Sequence, residues 1–188
     1  MSKTAYVLVA VGVEELEILI IISILRQAGI KVTSVGLLGD SPIKCKNKLV
    51  IKPDKSLEAV KNDVIDILIL PGGLPATKAM QDSELLAEVL IIQEKEGRLI
   101  AAIGTSPIVL EHHAIFKGRR LTSHASFKEA LIKGGYHFIE VSNVVKDGNL
   151  ITGCGLGASF EFALRVACIF TEPGNTKQIA KMLLLSDN

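Results

Sequence analysis

The residues best placed to do chemistry follow a short apolar strand, 99–103, which runs into Gly104, Thr105 and Ser106 and then into a helix that begins at Pro107. A sharp strand-to-helix turn of this kind exposes its first side chain at the sheet edge, beside backbone N–H groups and the positive end of the helix. Such an elbow commonly presents a nucleophile. Here its first position is glycine, so the sequence allows an active enzyme, an enzyme with altered chemistry, or a binding protein on an enzyme's scaffold.

A glutamate-rich segment follows the first predicted strand, residues 5–10, and continues into a helix predicted over 14–28. Ligands of parallel α/β folds bind at the carboxyl ends of the strands, so we expect this segment to lie near the elbow. Glu17 is followed by eight apolar or small residues, which predicts a partly buried carboxyl with a raised pKa. We interpret it as a general acid or base. The alternative is a first-turn acid favoured by the helix dipole.

A Pro-Gly-Gly sequence ends the strand predicted at 66–70. Gly72 and Gly73 let the backbone approach a ligand closely and present N–H groups, as an oxyanion hole requires. The same tripeptide also ends strands as an ordinary turn. Its expected position opposite the elbow favours a binding role, shared with Gly104 and the N–H of Thr105.

Strands and helices alternate along the chain, which predicts a three-layer α/β sandwich around a mostly parallel sheet. We expect a single domain, 1–188, because no linker or internal repeat interrupts the pattern. The other predicted strands are 31–37, 120–122 and two hairpins at 43–51 and 146–151, and the other predicted helices are 83–96, 127–133, 158–170 and one near the C-terminus.

The composition excludes several classes of partner. The chain has 188 residues, of which 48% are apolar and 22% charged, and its net charge is +1 without a basic stripe, so neither nucleic acid nor an anionic membrane is expected. The apolar run 16–25 is shorter than the roughly 20 residues that span a bilayer, and it favours a buried helix or a subunit interface. No signal-peptide pattern precedes the first strand, so we expect a cytoplasmic protein.

The cysteine pattern predicts neither a disulfide framework nor a zinc site. Cys45, Cys154 and Cys168 are odd in number, unrelated in spacing and without a CxxC pair. Cys168 lies eight residues after Phe160 on a predicted helix and is expected in the core, whereas Cys45 on an edge hairpin is expected at the surface or an interface. No metal and no cofactor are expected.

Several segments carry a resemblance to a known family. They are EELE at 14–17, QAGIKVT at 27–33, LPGG at 70–73, LIAAI at 99–103, His124, KDGNLIT at 146–152 and SFEFAL at 159–164. Together they resemble the ThiJ/PfpI superfamily and, within it, the protein deglycase DJ-one branch, over residues 3 to about 185. The resemblance implies a flavodoxin-like α/β sandwich, a homodimer built partly on the first helix, and glyoxalase or deglycase chemistry on methylglyoxal-type carbonyl compounds with a role in oxidative-stress protection.

The resemblance also implies roles for individual residues. The family uses a cysteine thiolate at the elbow, and that position falls on Gly104 here, which cannot form a hemithioacetal. Glu17 matches the family glutamate beside the thiolate, and His124 matches the histidine near the pocket. Asn47 and Cys154 stand where close relatives carry arginines, which implies a less cationic pocket.

Two classes of function remain. The first is an enzyme without a covalent intermediate, in which Glu17 moves a proton on a small carbonyl compound while the N–H groups of Gly73 and Thr105 hold the developing oxyanion, as in an isomerase, hydratase or lyase. The second is a non-catalytic dimer that binds a ligand. A further alternative is residual glyoxalase activity with Cys154 as a substitute nucleophile, whereas a Ser or Thr nucleophile at Thr105 or Ser106 lacks a positioned base.

Overall fold

The structure is a computed structural model that describes residues 3–172 and 174–185. Its strands are β1 (Thr4–Val9), β2 (Lys31–Gly36), β3 (Ile43–Lys44), β4 (Val50–Ile51), β5 (Lys55–Ser56), β6 (Ile67–Leu70), β7 (Leu99–Ile103), β8 (Arg120–Leu121), β9 (His137–Phe138), β10 (Val144–Asp147) and β11 (Leu150–Gly153). Its α-helices are α1 (Glu15–Gln27), α2 (Leu57–Val60), α3 (Leu74–Gln81), α4 (Glu84–Lys95), α5 (Pro107–His112), α6 (Lys128–Lys133), α7 (Ser159–Phe170) and α8 (Asn175–Met182).

The described residues form one seven-stranded sheet in the order β10-β11-β7-β6-β1-β2-β5. All its neighbouring strands run parallel except the hairpin of β10 and β11. Every residue of β6 and β7 is buried, which explains their continuous apolar sequences, because a parallel strand covered on both faces has no solvent side. The register pairs Leu70 with Ala102, so the loops after β6 and β7 leave the sheet side by side.

Helices cover both faces of this sheet. On one face α1 packs against α7, whose Phe162 is completely buried, and on the other α4 packs against β7 and contacts α2. The predicted flavodoxin-like three-layer sandwich with a mostly parallel sheet is confirmed. In the described ranges, no helix combines the length and the apolar character needed to cross a membrane.

Two predictions about cysteines were wrong. Cys45 is buried, with 3% of its surface exposed, because the turn between β3 and β4 folds it inward and its N–H bonds to the Leu49 carbonyl. Cys168 is exposed, because it shares a helix face with Phe160, which itself lies on the solvent side of α7. The eight-residue spacing does place Phe160 and Cys168 on one face of α7, but that face meets solvent rather than the core. Cys45, Cys154 and Cys168 all carry free thiols.

Candidate active site

Glu17 lies in the first turn of α1 with only 2% of its surface exposed. Its Oε2 accepts a hydrogen bond of 2.6 Å from the N–H of Gly72. Burial raises the pKa of Glu17 to about 7, and the nearby charge of Glu14 adds to the rise, whereas the bond from Gly72 and the charge of Lys46 oppose it. The predicted raised pKa is therefore explained by desolvation. A carboxyl of this pKa can accept or donate a proton near neutral pH.

The Pro-Gly-Gly loop is held against the loop between β1 and α1. The N–H of Glu14 donates to the Gly72 carbonyl over 3.0 Å. Gly73 has a φ of +104°, and a Cβ placed on it would lie 2.3 Å from the Gly12 carbonyl oxygen. A Cβ on Gly72 would lie 3.1 Å from both Glu17 Oε2 and the backbone nitrogen of Thr105. Gly73 is thus required by the close approach of the two loops, and Gly72 leaves little room for a side chain, which an ordinary strand-ending turn does not need.

Gly104 has the left-handed φ of +68° expected of a sharp elbow. A Cβ placed on it would lie 2.7 Å from Glu17 Oε1, so the carboxyl reaches the place where a side chain would begin. The Gly104 N–H donates to the Gly153 carbonyl over 3.0 Å, and its own carbonyl accepts from the N–H of His124 and the hydroxyl of Ser123. The elbow backbone therefore connects Glu17 to the segment that carries His124.

Thr105 changes which N–H groups are available. Its Oγ1 accepts from the N–H of Gly73 over 3.0 Å and lies 2.7 Å from the hydroxyl of Thr77. The N–H of Gly73, a predicted oxyanion donor, is thus already bonded to the Thr105 side chain. The N–H of Gly72 is likewise bonded to the Glu17 carboxyl. Within residues 3–172 and 174–185, the N–H of Thr105 itself makes no hydrogen bond. Of the two donors predicted to hold an oxyanion, Thr105 is the available one.

Ser106 is a structural residue. It is fully buried, its hydroxyl donates to the carbonyl of Leu70 or Ile103, and it accepts from the N–H of Ile103. It occupies the predicted N-cap position of α5, but its side chain makes no capping bond. Since the hydroxyls of Ser106 and Thr105 are both held by protein groups, neither is set up as a nucleophile.

His124 and Cys154 line one cavity of about 550 Å³ beside the elbow, together with Ser123, Lys128 and Glu140. His124 is exposed, and its Nδ1 bonds to the hydroxyl of Ser126 over 2.7 Å. Glu17 is not among the residues that line this cavity. The structure thus brings His124 and Cys154 together and connects them to Glu17 only through the backbone of Gly104.

The Cys154 thiol is half-buried and lies 3.8 Å from Oδ1 of Asn143. Burial raises the pKa of Cys154, and the charge of Glu161 acts in the same direction. A reactive cysteine needs the opposite environment, one that favours the thiolate.

Sequence reasoning missed two polar residues of the site, Thr77 and Ser123, both almost completely buried. Thr77 contacts the Thr105 hydroxyl from α3, a helix that was not predicted, and Ser123 donates to the Gly104 carbonyl over 2.9 Å. Ser123 immediately precedes His124, so a polar pair at that position was an available signal. No cluster of three or more potential metal-ligating His, Cys, Asp or Glu side chains occurs in the part of the chain that the structure describes.

The fold and the site together define a class of protein: a flavodoxin-like sandwich whose elbow after β7 lies against a first-helix glutamate and beside a Pro-Gly-Gly loop. The chain belongs to the DJ-1/PfpI family. The sequence pattern of that family matches residues 3–168.

Among its relatives, the chain is similar to protein dj-1beta of Drosophila melanogaster, with 44% identity over 188 residues that cover 100% of both chains. It is also similar to the glutathione-independent glyoxalase DJR-1.2 of Caenorhabditis elegans, with 36% identity over 173 residues, 92% of this chain and 91% of that protein. The crystal structure of Drosophila melanogaster DJ-1beta superposes with a TM-score of 0.97, at 44% identity and 100% coverage of both chains.

Proposed function

We propose that this protein is a diverged member of the glyoxalase and deglycase type that acts on a small carbonyl compound by acid-base catalysis without a covalent intermediate. The observation that carries the proposal is the Glu17 carboxyl, buried, with a pKa near 7, whose Oε1 faces the α-carbon of Gly104. A base whose pKa lies near the working pH combines sufficient ionisation with sufficient driving force for proton transfer.

In the proposed step, the Glu17 carboxylate removes a proton from the carbon next to the substrate carbonyl. The electron pair of that C–H bond moves onto the carbonyl oxygen, and the N–H of Thr105 stabilises the resulting enolate. When the substrate is the hydrate of a 2-oxoaldehyde, Glu17 returns the proton to the former carbonyl carbon, and a hydroxyl proton of the hydrate moves to the former carbonyl oxygen. The product is the 2-hydroxy acid, an isomer of the hydrate, so all atoms are conserved. General base catalysis contributes about 10² to 10⁴-fold and one oxyanion donor about 10² to 10³-fold, so a site without a thiol can still be effective.

The cavity beside the elbow supports a small substrate. Its volume of about 550 Å³ lies within the range of small-molecule sites, and Ser123 and His124 join its wall to the Gly104 carbonyl. We infer that the substrate binds there and extends across Gly104, where no side chain separates it from Glu17. The glyoxalase named among the relatives supports a 2-oxoaldehyde or related carbonyl as the substrate class.

The test is consumption of methylglyoxal and a panel of small ketones and enones by wild type, Glu17→Gln and Cys154→Ser, each checked for native circular dichroism. Glu17→Gln keeps the size of the side chain and an acceptor for Gly72 but cannot take the proton. Turnover lost in Glu17→Gln and kept in Cys154→Ser supports the proposal. Turnover that survives Glu17→Gln contradicts it.

A second candidate, residual glyoxalase activity through Cys154, is favoured by one observation: the thiol and His124 line the same cavity. Its raised pKa works against it. Loss of turnover in Cys154→Ser alone would establish this alternative. Absence of turnover in all three proteins would favour a non-catalytic ligand-binding or stress-response dimer.

We also propose that the chain forms a homodimer in the cytoplasm through α1. Leu16 and Leu19 on this helix are 48% and 47% exposed, although the rest of its apolar residues are wholly or partly buried. An apolar stripe on an otherwise core-facing helix is typical of a subunit interface. The resemblance to the ThiJ/PfpI superfamily implies a homodimer built partly on this same helix.

A further inference from the structure

A second cavity of about 360 Å³ lies at the amino ends of β6 and β7, whereas the elbow lies at the carboxyl end of β7. Arg98 and Leu99 form one side of it, the β10–β11 hairpin with Lys146 and Asn149 another, and the end of α7 with Phe170 a third. The Nδ2 of Asn149 donates to the Gly97 carbonyl over 2.9 Å, which fixes this turn beside Arg98. The volume is sufficient for a small ligand.

Arg98 is the unusual residue of this cavity. Its side chain is half-buried, its Nε is fully buried, and that nitrogen has no hydrogen-bond partner among the described residues. The two Nη atoms of Arg98 also form no ion pair and no hydrogen bond within residues 3–172 and 174–185. A buried donor without a partner loses its hydration for no gain, and for a charged group this loss is large. The two Nη groups of the same guanidinium are not buried in this way and remain available to an anion bound in the cavity.

The other charged groups of the cavity favour an anion. Lys146 lies on its wall, with Nζ bonded to the Gly148 carbonyl over 2.9 Å and further donors unused by that bond. The one acid in the lining, Asp66, already pairs with Lys3 over 2.8 Å and accepts from the N–H of Thr4 over 2.9 Å. Because Lys3 offsets Asp66, the charges of Arg98 and Lys146 remain for an anion.

The remaining wall is apolar, formed by Val64, Leu99, Ile169 and Phe170. We propose that this cavity binds a small carboxylate with an apolar body, whose planar carboxylate receives paired N–H groups of Arg98 and a contact from Lys146 while its body covers Leu99 and Phe170. The planar guanidinium fork matches a carboxylate in two parallel hydrogen bonds. This site is separate from the elbow and does not depend on the proposed activity.

The experiment titrates the full chain with benzoate, followed by amide chemical shifts and calorimetry. Arg98→Gln removes the unpaired guanidinium, and Arg165→Gln is the matched control, because Arg165 is an exposed arginine on α7 without an ion pair among the described residues. Benzyl alcohol and inorganic phosphate are the comparison probes. We expect saturable benzoate binding with shifts at 64–66, 97–99 and 146–149, weakened about tenfold or more by Arg98→Gln and unchanged by Arg165→Gln.

Lys146→Gln provides a second variant, and its expected effect is a smaller loss of benzoate affinity, because its Nζ is already partly satisfied by Gly148. The proposal is overturned if benzoate does not saturate these shifts, if Arg98→Gln and Lys146→Gln both bind it as tightly as wild type, or if benzyl alcohol binds equally well. Tighter binding of inorganic phosphate than of benzoate would replace the proposed carboxylate with a phosphate and would also overturn it.

Discussion

The carboxyl of Glu17 occupies the place where a side chain at position 104 would start, with Oε1 only 2.7 Å from the Cβ position of Gly104. Two consequences follow from this contact. The glycine leaves Glu17 without a neighbouring side chain on that side, and any other residue at position 104 has to displace the carboxyl. The state of Glu17 and the identity of residue 104 are therefore coupled.

Glu17→Gln should change how stability depends on pH. Because the pKa of Glu17 rises from 4.5 to about 7 on folding, the folded state holds a proton that the unfolded state releases between these values. The contribution of Glu17 to stability is thus greatest below pH 4.5 and is lost as pH rises through 7, by up to about 3 kcal/mol. We expect this contribution to be absent from Glu17→Gln, measured by urea unfolding at pH 5 and pH 8. The exposed Glu88→Gln should retain the wild-type dependence, and a Glu17→Gln dependence identical to wild type would contradict the assigned cause.

The pH profile of the proposed reaction should follow the same carboxyl. If Glu17 is the base, kcat/KM rises about tenfold per pH unit below its pKa and levels off above about 7. Initial rates on the best substrate of the carbonyl panel between about pH 5 and pH 10.5 provide the measurement. A profile that instead rises only above pH 9 would point to a thiol such as Cys154 rather than to Glu17.

Gly104→Cys should place a thiol against Glu17 at a cost in stability. The φ of +68° and the short contact to Glu17 Oε1 disfavour any Cβ here, and we expect a loss of about 1–3 kcal/mol in the free energy of unfolding. Gly104→Ala is the matched control, since it carries the same strain without the sulfur. We expect methylglyoxal turnover to increase in Gly104→Cys and not in Gly104→Ala. Equal rates in the two variants would show that a thiol at the elbow is not sufficient.

Ser106→Ala should destabilise the protein by about 1–3 kcal/mol, measured by chemical unfolding. The hydroxyl of Ser106 is fully buried and connects the carbonyl of Leu70 to the backbone of Ile103, so its removal leaves buried backbone groups without that partner. The exposed Ser41→Ala should be neutral within about 0.5 kcal/mol. Equal effects of the two changes would contradict the structural role of Ser106.

Leu19→Glu should convert the proposed dimer to a monomer. A charge in the middle of an apolar interface is strongly unfavourable, whereas the exposed position of Leu19 in one chain leaves the fold of that chain intact. Sedimentation velocity over a dilution series is the measurement. The control is Ile132→Glu, because Ile132 on α6 is an apolar residue of the same size as Leu19 and is similarly exposed. A wild type that sediments as a monomer at all concentrations would exclude the dimer.

Much of the fold could be predicted because the strongest signals are local. The buried strands β6 and β7 are continuous apolar runs, the glycine after α1 follows its last apolar residues, and the Asp-Gly turn between β10 and β11 specifies a hairpin. The helix α3 was missed, because Leu-Pro after two glycines resembles a loop, although proline at the start of a helix is favourable.

The site was predictable in its elements and not in its hydrogen bonds. The raised pKa of Glu17 could be anticipated from the apolar residues that follow it. The occupation of the Gly73 N–H by Thr105 could not, because it depends on a side chain 32 positions away and on the rotamer that Thr77 supports. The exposure of Cys168 was missed for a related reason, since periodicity identifies a helix face but not which face meets the sheet.

The contact between Gly73 and Gly12 restricts how this site can diverge. A Cβ on Gly73 would lie 2.3 Å from a backbone oxygen, which no side-chain movement can relieve. Position 73 can therefore gain a side chain only if the backbone at Gly12 moves as well. New substrate preferences, whether by natural drift or by engineering, must instead arise at wall positions such as Ala125 and Cys154, whose side chains can change without altering the paths of the loops after β1 and β6.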